Sequence, residues 1–430
     1  MKQKLSLANL LSINSYSFGL SFLWNTLHPI VLPAILLNYV PDASKNTYLG
    51  LLTFLGLVLA MLVQPISGTI SDRSTSHWGK RKPFIALGTI VDMGVLVFIA
   101  FTNTLTGIFL GYIVLQIASN IAQGPMQALI PDLVPEKQKG LASGIKNFMD
   151  VFGLICASLL AGVLLAPDEP RPVRVFLAVI GILGITAIIT LFTIHEKKNK
   201  GTESPTVEKL SFQAIFSLNI KNDRAFSNLL ISRFIFLLGV YGIQTFAQYY
   251  IRDVLAVENP IKATGSLMVV IAGALIICVL VSGWLSDKSG PEKLMNAAML
   301  ITAMGGFCLI FVQDMNTLML VAAFIGAGMG LYLTSNWTMA VKLAPADQSG
   351  RFLGLTNLAT AGASALGRLE GPLIDLTNQL KPGAFWGYKA MFIFCFLCSL
   401  LSYFVFYRLK KRTENKANSN NVRKTSKVDT

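Results

Sequence analysis

The chain has 430 residues, of which 53% are hydrophobic and only 13% charged, with a mean hydropathy of +0.58 and a formal charge of +14. That balance excludes an ordinary water-soluble domain, in which about a quarter of the residues are charged. The positive excess calls for no nucleic acid, because membrane proteins collect Lys and Arg in the loops of one side.

Twelve apolar stretches can be read, each near the roughly 20 residues that cross about 30 Å of hydrocarbon as a helix. They fall near 9–38, 47–70, 83–101, 106–131, 141–166, 174–194, 226–251, 262–285, 294–312, 317–341, 352–376 and 387–407. The first is too long for a signal-peptide core and has no small-residue cleavage site, so it is read as a retained helix. It carries a polar stripe, Asn14, Ser17, Ser21, Asn25 and His28, whose steps of three and four keep one face, expected to line a water-filled cavity. His28 reads either as a proton relay or as an interfacial hydrogen-bonder. The following Pro29 predicts a kink.

Between the second and third stretches lies the most charged interruption of the chain, Gly68-Thr-Ile-Ser-Asp72-Arg73-Ser-Thr-Ser-His-Trp78-Gly79-Lys80-Arg81-Lys82-Pro83. Gly68 is expected to allow close helix approach, Asp72 to meet the positive N-terminal end of a facing helix, and the basic residues to hold acidic groups or lipid phosphate. In the third stretch Asp92 lies about 13 Å past Pro83, either a hydrogen-bonder to a neighbouring helix or an alternative proton carrier. The fourth aligns Tyr112, Gln116, Asn120, Gln123 and Gln127 on one face.

The fifth stretch opens with Pro135-x-x-Gln138-x-Gly140-x-x-x-Gly144-x-x-Asn147, and the same pattern returns at a constant offset as Pro345-x-x-Gln348-x-Gly350-x-x-x-Gly354-x-x-Asn357. The two asparagines are expected to pack the interface between halves. Asp150 lies about 15 Å past Gly140, near the bilayer centre, and Lys146 is one turn before it on the same face. The two form either a self-neutralising structural ion pair or a site where the carboxylate exchanges Lys146 for a proton or ligand.

The seventh stretch aligns Tyr241, Gln244 and Gln248, and Arg233, like Arg351, is expected as an interfacial anchor or salt-bridge partner near a cytoplasmic helix start. After the eighth, Gly283-Trp-Leu-Ser-Asp287-Lys288-Ser-Gly290-Pro291 echoes the first hinge. The tenth carries Tyr332, Asn336 and Trp337. In the eleventh, Arg368, with Glu370 two residues later, reads either as a gate of the outer vestibule or as a snorkelling anchor. The amides and phenols suit a hydroxyl-rich ligand, or else join the helices to one another.

The five cysteines all fall inside apolar stretches and imply no disulfide framework, and the three scattered histidines imply no metal site. No Gly-x4-Gly-Lys-Ser/Thr loop is present, and no nucleophile–base constellation marks an enzyme. Well over half of the 36 Lys and Arg lie at the N-terminus, in the even-numbered connections and in the C-terminal segment, which puts both termini in the cytoplasm.

The expected organisation is an all-α membrane protein of twelve transmembrane helices in two six-helix pseudo-repeats. Residues 1–194 form the first bundle, 195–225 a cytoplasmic linker with a short interfacial helix or plain loop at 212–218, 226–408 the second bundle, and 409–430 a disordered basic tail.

The paired hinges, with the repeat, resemble those of the major facilitator superfamily over essentially the whole chain. The first hinge, with its long spacer between Asp72-Arg73 and Trp78-Gly79-Lys80-Arg81-Lys82-Pro83, is similar to the sucrose-type and glycoside-pentoside-hexuronide cation symporters. The resemblance implies alternating access, with Gly68, Asp72, Arg73, Gly79, Arg81, Asp287 and Arg368 in gating. It also implies a cavity lined by the first, fourth, seventh and tenth helices. The second helix has no acidic residue before the hinge, where sodium-coupled members carry paired aspartates, so a proton is the expected coupling ion, with Asp150, Lys146, Asp92 and His28 as its candidates.

The resulting expectation is a monomeric, multi-pass cell-membrane transporter, without cofactor, that carries a small sugar or glycoside by proton-coupled symport. The alternative is a proton-coupled exporter of amphipathic compounds or drugs. An embedded enzyme and a non-transporting receptor are the remote alternatives.

Overall fold

The computed structural model describes residues 4–165, 172–194, 196, 224–344 and 349–425; within it the side chains of 283, 284, 287, 349–351 and 408–425 are not described. The linker at 195–225 except Glu196, Arg224 and Ala225, the motif residues Pro345 and Gln348, and the side chains of Asp287 and Arg351 thus lie outside the described residues.

The described residues are helical, with no strand among them. We number the helices α1 (Leu7–Leu36), α2 (Lys45–Asp72), α3 (Lys82–Phe101), α4 (Leu105–Gln127, extended by Leu129–Leu133), α5 (Lys139–Leu164) and α6 (Val173–Thr193). The second set comprises α7 (Arg224–Asp253), α8 (Pro260–Ser289), α9 (Pro291–Leu309), α10 (Met315–Leu343), α11 (Ser349–Gly367, continued by Glu370–Leu380) and α12 (Trp386–Thr425).

Among the described residues, ten helices are long and apolar enough to cross a membrane. The expected ninth and eleventh spans are helical but fall outside that set: α9 is short, and α11 breaks at Arg368 and Leu369. Helix α12 continues through the basic segment to Thr425, where the sequence pointed to a disordered tail from 409. Residues 408–425 contain neither Gly nor Pro and are rich in Lys, Arg and Asn, so no helix breaker stands at the bilayer edge.

Neighbour relations repeat. Helix α1 packs on α5 and α6, α2 on α4, and α3 on α4 and α6; correspondingly α7 packs on α11 and α12, α8 on α10, and α9 on α10 and α12. Between the sets, α5 meets α8 and α2 meets α11, which are equivalent pairs under the same exchange. This is the pseudo-twofold arrangement of a duplicated six-helix unit.

Small residues allow the close crossings. A side chain at Gly265 would strike the Ser158 carbonyl across the α5–α8 contact, and one at Gly50 would strike the Arg368 carbonyl across α2–α11. Gly68, expected to permit close approach, has open space where a side chain would stand; the tight crossing there is made by Gly124 of α4 against the backbone of Gln64 and Gly68.

Helix α1 is not regular. A π-helical turn, Leu27–Val31, surrounds Pro29, and a short α-helical stretch, Leu32–Leu36, follows. Pro33 has no N–H to give the Pro29 carbonyl. The Gln248 amide nitrogen of α7 supplies that donor, at 2.9 Å from both the Pro29 and Ile30 carbonyls in the orientation its partners require. The Tyr249 hydroxyl caps the next free carbonyl, Pro33 O, at 3.0 Å. A weakness in one set of helices thereby becomes its joint with the other.

Candidate functional site: the cavity between the two helix sets

A cavity of about 100 Å³ lies where both sets meet. Its wall comes from α1 (Trp24, Asn25, His28, Pro29), α2 (Thr53), α7 (Tyr241, Gln244, Thr245) and α11 (Ser364, Arg368). The expected lining by the first, fourth, seventh and tenth helices is therefore corrected: in this state α2 and α11 take the places of α4 and α10, because their close crossing at Gly50 brings them to the centre.

The α1 stripe divides along its length. Asn14 and Ser17 are buried, Asn14 donating to the Leu10 carbonyl at 2.8 Å, and Ser21 donates to the Asp150 backbone carbonyl across α1–α5. Only Asn25 and His28 reach the cavity, and Asn25 returns its amide to the Ser21 carbonyl at 2.8 Å. The Trp24 ring lies 4.9 Å from that of His28.

The α4 ladder stands behind this wall rather than in it. Tyr112, Gln116 and Asn120 are buried in a relay: the His28 Nε2 is 2.9 Å from the Tyr112 hydroxyl, Gln116 donates to that hydroxyl at 2.7 Å, and Asn120 donates to the Gln116 carbonyl at 2.8 Å. Gly56 of α2 leaves room for the Tyr112 ring. Gln123 is half-buried, further along α4.

On the other side, Tyr241 and Gln244 are in the wall, whereas Gln248 is consumed by the α1 carbonyls. Tyr332 and Asn336 are wholly buried, and Trp337 is exposed elsewhere on α10. What holds Asn336 is Arg233, read from sequence as an interfacial anchor: its Nη1 donates to Asn336 Oδ1 at 2.6 Å and its Nε to Thr360 Oγ1 at 2.9 Å, joining α7, α10 and α11. The sequence reading also missed Trp24, Thr53, Thr245 and Ser364. Single apolar-run hydroxyls and a tryptophan carry no periodic signal.

Arg368 is neither an outer-vestibule group nor a snorkelling anchor. It is buried in the cavity wall, its Nη1 donating to the Ser364 carbonyl at 2.6 Å and Ser364 Oγ at 2.9 Å, and its Nε has no partner among the described residues. Glu370 is also buried; its carboxylate packs over Gly242, and neither oxygen has a partner among the described residues.

Lys146 and Asp150 pair at 2.7 Å on α5, both partly exposed. Asp92, by contrast, is fully buried on α3, with Ser119 of α4 as its neighbour across the helix contact. Asn147 and Asn357 are both exposed, so they do not pack the interface between halves as expected. Side chains at Gly140, Gly144 and Gly354 would likewise meet nothing, and these positions lie on the hinge-side halves of α5 and α11.

The hinge is built around Arg81. Its guanidinium pairs with Asp72, with Asp132 at 2.8 Å and with the Ser71 hydroxyl, while its backbone N–H donates to the Glu196 carboxylate at 3.0 Å. Gly79 turns through φ +110°, with Glu196 where a side chain would stand. Asp72 is thus held inside its own helix set, not by a facing helix of the other. Arg73 is exposed at the end of α2.

At the opposite end the two sets are tied to each other. Lys45 of α2 pairs with Asp253 of α7 at 2.8 Å, Arg252 with Asp42 at 2.8 Å, and Asp375 of α11 accepts from Asn46 Nδ2 at 2.8 Å and from the Thr47 N–H and hydroxyl at 2.6 and 2.7 Å. Tyr388 of α12 adds a bond to Asp253 at 2.7 Å.

Residues 6–367 match the family model described as Major Facilitator Superfamily. This chain is a member of that superfamily. It is a multi-pass membrane transporter, and not an enzyme.

It is 25% identical over 345 residues to a Multi-drug resistance efflux pump PmrA homolog of Lactococcus lactis, covering 78% of this chain and 79% of that protein. It is 24% identical over 363 residues to the Multidrug resistance protein MdtG of Erwinia billingiae, covering 83% and 82%. Its fold is similar to that of a bacterial homologue of the human lysosomal transporter Spinster, solved inward-facing and unoccupied, with a TM-score of 0.74 at 17% identity over 95% of this chain and 98% of that one.

Proposed function

We propose that this chain is a gradient-driven exporter of amphipathic aromatic compounds, working by alternating access around the central cavity. The observation that carries the reading is the composition of the wall: Trp24 and Tyr241 offer aromatic faces beside a polar set, Asn25, His28, Thr53, Gln244, Thr245, Ser364 and Arg368, in which Arg368 is the fixed charge. A wall of this kind grips an apolar body by area and fixes one polar end. Likeness to two proteins named for multidrug resistance over about four fifths of the chain supports the same class. At about 100 Å³ the cavity is smaller than the ~300 Å³ or more that a drug-sized ligand fills, so cargo enters as the halves part.

In this reading the six-helix units, 1–194 and 226–408, rock as bodies with both termini in the cytoplasm, and the state described is closed outside and opening inside. Asp150 is the coupling carboxylate. Its half-exposed position in mid-span, paired to Lys146, lets it exchange a lysine for a proton without first being dug out of the bundle.

Import of a sugar or glycoside with protons is the second reading, favoured by the hinge from Ser71 to Pro83 and by the amides Asn25 and Gln244 in the wall. Proteoliposomes carrying an imposed pH gradient separate the two. Export predicts uphill movement of naphthalene- or acridine-type dyes driven against the proton flow, abolished in Asp150→Asn while dye exchange persists. Uptake of glycosides down the proton gradient, with dyes inert, would replace the first reading by the second. Undiminished uphill transport in Asp150→Asn would remove that residue from coupling.

A further inference from the structure

We propose that the cavity is an organic-anion site, in which Arg368 takes the carboxylate, sulfonate or phosphate of the cargo while Trp24 and Tyr241 cover its apolar body. The inference rests on the reading of this cavity as the cargo site and narrows it to one charge class.

Arg368 is 8% exposed and sits at the break of α11, between Gly367 and Glu370. A buried guanidinium must be hydrogen-bonded and its charge balanced, or its burial is strongly unfavourable. Here one nitrogen is satisfied by Ser364, and Nε is left without a partner among the described residues. No carboxylate lies in the cavity wall, whose ionisable members are Arg368, His28 and the Tyr241 phenol. The nearest acid in the chain, Glu370, is turned onto Gly242 and pairs with nothing among the described residues, so it does not serve as the counter-ion. The Arg368 backbone is held by the close crossing at Gly50, where any side chain would displace the Arg368 carbonyl, and the guanidinium is held by Ser364.

A cationic amphiphile placed here would meet a like charge in a space with little water, and a neutral glycoside would leave the charge unbalanced. An anion supplies the missing charge partner at the part of the guanidinium that reaches the cavity. Arginine presents its donors as a planar fork that fits carboxylate, sulfonate and phosphate oxygens. The aromatic faces explain why the anion would be an amphiphile and not an inorganic ion.

The test is calorimetric titration of the purified full chain in neutral detergent with three naphthalenes matched in size: naphthalene-2-sulfonate, 2-naphthylmethanol and (2-naphthylmethyl)trimethylammonium. The sulfonate is expected to bind about tenfold or more tighter than either of the others, the worth of one hydrogen bond to a charged group. Arg368→Gln should reduce that preference to about twofold or less, and Arg368→Lys should keep part of it, because lysine keeps the charge and loses the fork. Thermal unfolding checks that each variant is folded. The ranking on the unmodified chain stands by itself if Arg368→Gln does not fold.

Equal or tighter binding of the alcohol or the cation, no binding of any of the three up to millimolar concentration, or a preference that survives in folded Arg368→Gln would each overturn the proposal. A sulfonate preference without pH-driven movement in vesicles would keep the site and sink coupled export. Pumping of the cation with no sulfonate preference would do the reverse.

Discussion

The two ends of the molecule use charge in opposite ways. At the hinge, Arg81 gathers Asp72, Asp132 and Glu196, all of them within residues 1–196, so its energy is spent on holding one unit together. At the far end, Lys45, Asp253, Asp42, Arg252, Asn46 and Asp375 pair across units, so their energy holds one state of the whole molecule. Under the proposed rocking of the two units, ties within a unit survive every state, whereas ties between units exist in only one, and the far end is the part that must break.

Lys45→Ala strikes that contrast hardest. Lys45 and Asp253 are 8% and 9% exposed at the side chain, and removing one partner of such a pair costs about 3–5 kcal/mol. Part of that cost is escaped by opening the far end, so the equilibrium should move by up to about two orders of magnitude. Spin labels on the far ends of α2 and α7 should report a longer distance; an unchanged distance distribution would mean that the pair does not hold the state.

Arg81→Ala should cost about 1–3 kcal/mol, less because Asp72 and Asp132 are 61% and 43% exposed and water takes over part of their solvation. Its effect should appear as a lower unfolding temperature with the far-end distance unaltered. A shift of that distance would erase the distinction between the ends.

Gly79→Ala tests the backbone of the same hinge. The residue must hold φ +110° beside Glu196, a strain of about 1–3 kcal/mol for a residue with a side chain, again without moving the far end. Smallest of all should be Asp42→Asn. The Asp42–Arg252 pair is 66% and 34% exposed, worth about 0–1 kcal/mol, and its loss should be invisible at high salt. A large effect there would show that the exposed pair, and not the buried one, is the clasp.

Much of this was legible beforehand because bilayers impose simple rules. Apolar length gave the helices within a few residues, and the spaced repeat gave the six-plus-six plan. Pro29 announced the irregular turn of α1, and i, i+4 spacing placed Lys146 beside Asp150. The α4 stripe was also real as a face, since Tyr112, Gln116 and Asn120 do share one and bond along it. What a stripe does not say is what it meets. Amides that suit a ligand equally suit His28, Arg233 or a carbonyl exposed by proline, and Gln248 and Asn336 are taken by the last two.

By itself, then, the sequence determined the solvent this chain lives in, its helices, its duplication and its superfamily, because hydropathy, spacing and loop charge act over one or two dozen residues. Only the tertiary structure decided which polar groups are partnered and which are left facing the cavity. The pairs that matter, Lys45 with Asp253 and Asn46 with Asp375, join residues far apart in the chain. Arg368 acquires its meaning from what is not beside it, and burial without a counter-ion is a property of packing that no local pattern encodes.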